Sequence, residues 1–346
     1  MGGLIITLKV KNICSVFCVI ACFCLFLFHG QDVKNAVSDT LLFCFNKLIP
    51  SVFPFMILAT FVCKAGFLNY LVPKRLESIL GVCKNTTSIV VAAWVSGYVT
   101  GPKILNGRCG DEDATSLVFL TTNAGVGFVV SYIGISLWNS ITFGLFLYFS
   151  QLLFSVLIFS FIKKPKIFLQ KNEKKPLLTV FCDSVHNATL AVLEMCGFTV
   201  IVAVFSRVLC ATLYLKGGIS CSLIKALSEI STGSYNLCLL GVNKWSLFLV
   251  GFTLGFGGAC VILQTFSACA ECKINKFRFI LLKFVQGIFC GFSVLIFAEF
   301  FPLTPATSVG LFKTISFSEK IAVVNAIFIF CLLNMSKKFL KMKNLY

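Results

Sequence analysis

Charge is scarce in this chain. Only 12% of its 346 residues are Asp, Glu, Lys or Arg, and 13 of those are acidic. A soluble domain carries about 25% charged residues, so the polar surface that a globular protein shows to water is missing. Histidine is nearly absent, with two copies, which removes the commonest metal ligand and general base. No P-loop, nucleophile elbow or metal-ligand spacing occurs along the sequence, and each of those needs a fixed residue pattern. Enzyme chemistry, a bound metal and a cofactor are therefore not expected. No polar stretch is long enough to form a soluble domain between the apolar runs. The net charge of +17 does not imply a nucleic-acid partner either. Its Lys and Arg sit in short loops beside apolar runs, the positive-inside pattern of a membrane protein.

What remains is grease. Hydrophobic residues make up 58% of the chain, and the mean hydropathy is +0.95. Runs near 20 residues, each long enough to cross a bilayer, predict spans at 13–29, 41–63, 114–134, 139–162, 188–213, 245–270, 277–301 and 319–335. Two polar-tipped stretches, about 85–105 and 219–240, are too broken to cross and read as re-entrant hairpins. The expected fold is an all-α polytopic membrane protein of about eight transmembrane helices plus two hairpins. Val19-Ile20-Ala21-Cys22 has the form of a lipoprotein cleavage site. Apolar sequence continues through Phe28, so the segment reads as an uncleaved signal anchor. The 18 cysteines lie mostly within spans, where a free thiol acts as a small hydrophobe. Cys269-Ala-Glu-Cys272 is a lone CxxC without a second pair or a nearby histidine. The 39 phenylalanines reflect base composition.

Loop charge orders the spans. With Lys9 and Lys11 inside, eight crossings and two returning hairpins put the following on the cytoplasmic side: Lys64, Lys74, Arg75 and Lys84; Lys103 and Arg108; the lysines between 163 and 175; Lys273, Lys276, Arg278 and Lys283; and Lys337, Lys338, Lys341 and Lys343. Both termini are then cytoplasmic. The first hairpin enters from the cytoplasm and the second from the opposite face, each followed by a broken span and an intact one. Ser96 recurs as Ser231 at nearly the offset that relates Asn123 to Gly257. This predicts an inverted repeat, with residues 1–39 as the anchor span, 40–162 as the first repeat, 163–179 as a basic cytoplasmic linker, 180–302 as the second repeat and 303–346 as a terminal span and basic tail.

Polar, glycine-rich breaks recur in the two halves. Ser96-Gly97-Tyr98-Val99-Thr100-Gly101-Pro102-Lys103 and Thr121-Thr122-Asn123-Ala124-Gly125 stand in the first. Glu229-Ile230-Ser231-Thr232-Gly233, Gly257-Gly258 and Gln264 stand in the second. Irregular backbone at membrane depth is tolerated only where protein buries it or a cavity solvates it, and matched breaks in two halves point to a transporter's substrate site. The alternative for any one glycine is close helix packing. The candidate substrate-binding set is Ser96, Gly97, Tyr98, Gly101, Lys103, Thr122, Asn123, Gly125, Glu229, Ser231, Thr232, Gly233, Gly257, Gly258 and Gln264. Lys103 lies either at hairpin depth or snorkels to the cytoplasmic face. Mid-span Glu194 is a candidate coupling group that could pair with a cation, carry a proton or stay neutral. Arg207 lies 13 residues further, about 20 Å along a helix, too far to be its partner. Asp111-Glu112-Asp113 reads as an acidic helix start. Lys47, His29 and His186 read as interfacial.

The ordered motifs Pro50-Ser-Val-Phe-Pro54-Phe, Ser96-Gly-Tyr-x-x-Gly-x-Lys103, Thr122-Asn-Ala-Gly125, Glu194-x-Cys-Gly-Phe198, Glu229-Ile-x-x-Gly233 and Leu254-Gly-Phe-Gly-Gly258 through Gln264 resemble the YlbJ/SpoVV-type sporulation integral membrane proteins. These belong to a wider group with nucleoside-recognition "Gate" domains, and the likeness spans roughly 40–302. Val99 stands where the family has proline, and Ile262 where a histidine is common. The resemblance implies a bacterial multi-pass protein of the outer forespore membrane that moves dipicolinate, a small aromatic dianion, during endospore formation. The wider group is similar to nucleoside transporters. The expected function is thus transport of a small organic anion by alternating access around a midplane site. A nucleoside transporter, or a scaffold for a sporulation membrane complex, is the alternative. Expected partners are the anion, the lipid bilayer, and either further copies of the chain or sporulation membrane proteins.

Overall fold

The computed structural model describes residues 2–109, 113–162, 176–215, 218–303 and 305, with side chains from Ser15 onward. The chain divides into Met1–Ala306 and Thr307–Tyr346. The second unit, with the expected span 319–335, lies outside the described residues, as do 163–175 of the basic linker.

Every regular element among the described residues is a helix. They are α1 (Gly2–Phe28), α2 (Gly30–Lys64), α3 (Leu68–Leu71), α4 (Lys74–Leu80), α5 (Lys84–Ser96), α6 (Thr100–Leu105), α7 (Thr115–Thr121), α8 (Gly127–Leu137), α9 (Ile141–Ser160), α10 (Leu177–Thr212), α11 (Gly218–Ser228), α12 (Ile230–Leu239), α13 (Lys244–Phe256), α14 (Gly258–Ala268) and α15 (Lys276–Phe300). Five runs among them are long and apolar enough to cross a membrane: α2, α9, α10, α13 with α14, and α15. The anchor span expected at 13–29 falls on α1. The span expected at 114–134 is split between α7 and α8. This is an α-helical membrane protein.

Local chemistry accounts for the irregularities. The wide turn at Cys44–Leu48 precedes Pro50, with Pro54 one turn further. A proline ring removes one backbone donor and crowds the preceding turn, and a widened turn accommodates both. Asp113 caps the start of α7 by accepting from the Thr115 amide. Asn243 and Ser246 cap α13 reciprocally. Asp111 and Glu112, the rest of the expected acidic turn, lie outside the described residues.

The two halves share an order. Each has a long helix (α2, α10), a two-helix hairpin (α5 and α6; α11 and α12), a broken span (α7 and α8; α13 with α14) and a long helix (α9, α15). Outward-facing apolar side chains such as Phe149, Leu153, Leu193, Phe292 and Ile296 are more than half exposed. On a helix of this length such a stripe is the face that lipid covers. The broken elements sit inside this frame. The core packs Tyr98, Phe128 and Tyr132 of the first half with Ile230, Leu254 and Val261 of the second.

Candidate functional site

The helix breaks of the two halves meet at one cavity. α5 ends at Ser96, and Gly97 turns the chain with φ +110°, a region that favours glycine. The break after α7 brings Gly125 against this turn: a Cβ on Gly125 would stand 2.9 Å from the Ser96 carbonyl carbon and 3.0 Å from the Gly97 nitrogen. The second hairpin presents Glu229, a residue with extended backbone between α11 and α12. The kink between α13 and α14 is made by Gly257 and Gly258, with φ of +87° and +74°.

A break frees backbone groups that cannot go unpaired in hydrocarbon, and here side chains from both halves meet them. The Tyr98 hydroxyl donates to the Leu254 carbonyl at 2.8 Å, and the Tyr132 hydroxyl to the Ser231 carbonyl at 3.2 Å. In the first break, Trp94 Nε1 donates to the Leu120 carbonyl at 3.0 Å, and Gln151 exchanges both of its amide bonds with the Ala124 backbone. Glu229 turns its carboxylate back on its own helix. It accepts from the Ser231 amide at 2.8 Å, the Thr232 amide at 2.7 Å and the Thr232 hydroxyl at 2.9 Å. The positive end of α12 is thereby neutralised from within.

Between these tips lies a cavity of about 40 Å³, lined by Ser96, Gly97 and Tyr98, by Gly125, by Glu229 and Ser231, and by Gln264. That volume holds roughly three waters at ~10–15 Å³ each. Gln264 is held by the Met195 carbonyl of α10 at 3.4 Å and by Cys260 at 3.1 Å. Seven of the residues expected from sequence thus converge on one buried point.

The others are placed differently. Lys103 does not line the central cavity. It pairs with Glu194 of α10 at 2.9 Å, beside a second cavity of about 160 Å³ that also exposes Lys64, Arg108, Asn106 and Asn187. The buried Thr100 hydroxyl on this wall has no hydrogen-bond partner. Met56 borders both cavities. Thr122 and Asn123 lie behind the first break, fully buried. Gly101 packs on Thr121 and Gly233 on Ala226: for these two, close packing is the role, while Gly258, which also approaches the Ser228 carbonyl, belongs to the kink. Gly257 supplies the kink, and Thr232 completes the Glu229 cap. Arg207, as its spacing from Glu194 required, pairs elsewhere, with Asp39 at 2.7 Å.

Lys283, counted above with the cytoplasmic-side charges and lying within the span expected at 277–301, is fully buried on α15. Its Nζ donates to the Thr122 carbonyl and to Gln286 Oε1, both at 2.8 Å. Gln286 in turn donates to Asn123 at 2.8 Å and to the Gln151 carbonyl at 2.9 Å. Counting loop charge missed this group because Lys283 follows Arg278 so closely in sequence. A signal was present: Gln151 and Gln286 stand at the same offset as Ser96 and Ser231.

No family model, no curated protein and no solved structure matches the chain. The class rests on the fold itself, an integral membrane protein of long apolar helices around paired helix breaks.

Proposed function

We propose that this protein is a membrane transporter for a small organic anion, working by alternating access around the central cavity. One observation carries the reading: the hairpin tip and broken span of each half converge on the lining of one cavity. A packed structural core has no use for seven polar or glycine positions at such a point, whereas a solute site does. In this reading the halves are an inverted repeat, and one rocks against the other to open the cavity to each face in turn.

Anion preference is supported by the second cavity, which Lys64, Lys103 and Arg108 line and which shares Met56 with the central one. Dipicolinate, implied by the family resemblance, is the first solute to test. A second reading has its own support. The wall of the central cavity carries Glu229 and no Lys or Arg, a lining that suits a neutral polar solute such as a nucleoside. Uptake of dipicolinate, nucleosides and other small carboxylates into vesicles, under imposed proton or sodium gradients, separates the two. Flux of dicarboxylates alone supports the first, and flux of nucleosides alone supports the second.

A further inference from the structure

Lys283 is the most deeply buried cation among the described residues, with none of its surface exposed. No carboxylate pairs with it among those residues. Its partners are all neutral: the Thr122 carbonyl and Gln286 Oε1 at 2.8 Å, and the faces of Tyr98 and Phe119 with ring centres 5.7 and 5.8 Å away. Taking an ammonium out of water costs several kcal/mol when nothing of opposite charge answers it. Two carbonyl-type oxygens and two aromatic faces form a set that holds a monovalent cation by dipole and quadrupole alone.

Position sharpens the point. Thr122 follows the last residue of α7, at the carbonyl end of a half-helix, where the helix dipole is negative. Through Gln286 the ammonium is tied to Asn123 as well, two residues before the Gly125 contact with Ser96 and Gly97. The ammonium therefore sets the position of the break that forms one wall of the central cavity. At the matching place in the first half, by the offset of Ser96 to Ser231, stands Tyr148. Its neutral hydroxyl donates to the Trp94 carbonyl at 3.1 Å.

We infer that the Lys283 ammonium is a resident cation at the first helix break, occupying a site whose oxygens and rings would otherwise bind a small monovalent cation, so that the cavity forms without sodium. Lys283 acts on the cavity through Thr122 and Asn123 and is a positioning residue. The readout below involves no transported solute, so this inference stands or falls separately from the transport reading.

The test compares the purified full chain with Lys283→Ala and Lys283→Met in chloride salts of sodium, potassium, methylammonium and choline at equal ionic strength. Thermal unfolding and hydrogen exchange over residues 119–126 are recorded. The wild type should unfold at one temperature in all four salts. In choline, Lys283→Ala should unfold about 5–10 °C lower and exchange faster over 119–126, given two lost charge-assisted bonds. Sodium or methylammonium should restore at least half of that fall, because the vacated space admits them and not choline. Lys283→Met fills the space without charge, so it should be lowered and not restored by any salt. Three results would overturn the inference: wild type stabilised by sodium as much as Lys283→Ala, Lys283→Ala indifferent to the salt, or Lys283→Met matching wild type. If Lys283→Ala does not accumulate, the Lys283→Met and wild-type series decide it.

Discussion

Replacing Gly125 by alanine probes the contact on which the central cavity depends. Gly125 is not in a left-handed conformation, so backbone strain does not enter; the effect is steric. The added Cβ would meet the Ser96 carbonyl carbon and oxygen at 2.9 Å and the Gly97 nitrogen at 3.0 Å. These are backbone atoms and cannot rotate aside. Restoring ordinary contact moves the two breaks apart by roughly half an ångström, and overpacking of this kind costs about 1–3 kcal/mol. At about 2–4 °C per kcal/mol, the unfolding temperature should fall by roughly 2–12 °C. Gly197 of α10 is the control, since a Cβ there meets nothing within 4 Å. Alanine is favoured over glycine inside a helix by about 0.5–1 kcal/mol, so Gly197→Ala should be neutral or stabilising. Both variants are read by thermal unfolding in detergent and by solute uptake in vesicles, where Gly125→Ala should lose uptake and Gly197→Ala keep it. Equal stability and equal uptake for the two would refute the claim that close approach of the breaks builds the site.

Other outcomes follow from the same geometry. Glu229→Gln keeps one acceptor of the α12 cap and loses the charge. It should cost about 0.5–2 kcal/mol of stability and most of the uptake, with full uptake counting against the site. Lys103→Met breaks an ion pair whose side chains are 29% and 49% exposed, so stability should change by no more than about 1 kcal/mol while uptake of a dicarboxylate falls. A large loss of stability with unchanged uptake would make the pair a structural tie. Tyr98→Phe strands the Leu254 carbonyl freed by the Gly257 kink, at about 1–3 kcal/mol, seen as a lower unfolding temperature and faster exchange at 254–258; unchanged exchange would contradict that assignment.

Much of this arrangement could be read from the residues. Helical breaks at Ser96–Gly97, Glu229 and Gly257–Gly258 announce themselves, because polar and glycine residues interrupt apolar runs that would otherwise continue. Convergence of Ser96, Gly125, Glu229 and Gln264 was foreseeable from the matched order of the two halves. The depths of Lys103 and Lys283 were not legible, for a physical reason. Sequence shows that a cation lies near an apolar run, but its depth is set by what the neighbouring helices offer. Thr122, Gln286, Tyr98 and Phe119 come from three separate stretches of chain, and only packing brings them around one ammonium. Glu194 likewise faces Lys103 across helices that are 91 residues apart in sequence, a pairing that no local spacing encodes.

The most direct measurement is uptake into vesicles containing the wild type or Glu229→Gln, run side by side with dipicolinate, nucleosides and small carboxylates. The account predicts that wild type moves at least one of these solutes above the rate of protein-free vesicles, and that Glu229→Gln, at matched protein level, does not. No flux by the wild type for any of them, or flux undiminished by the Glu229 change, would contradict it.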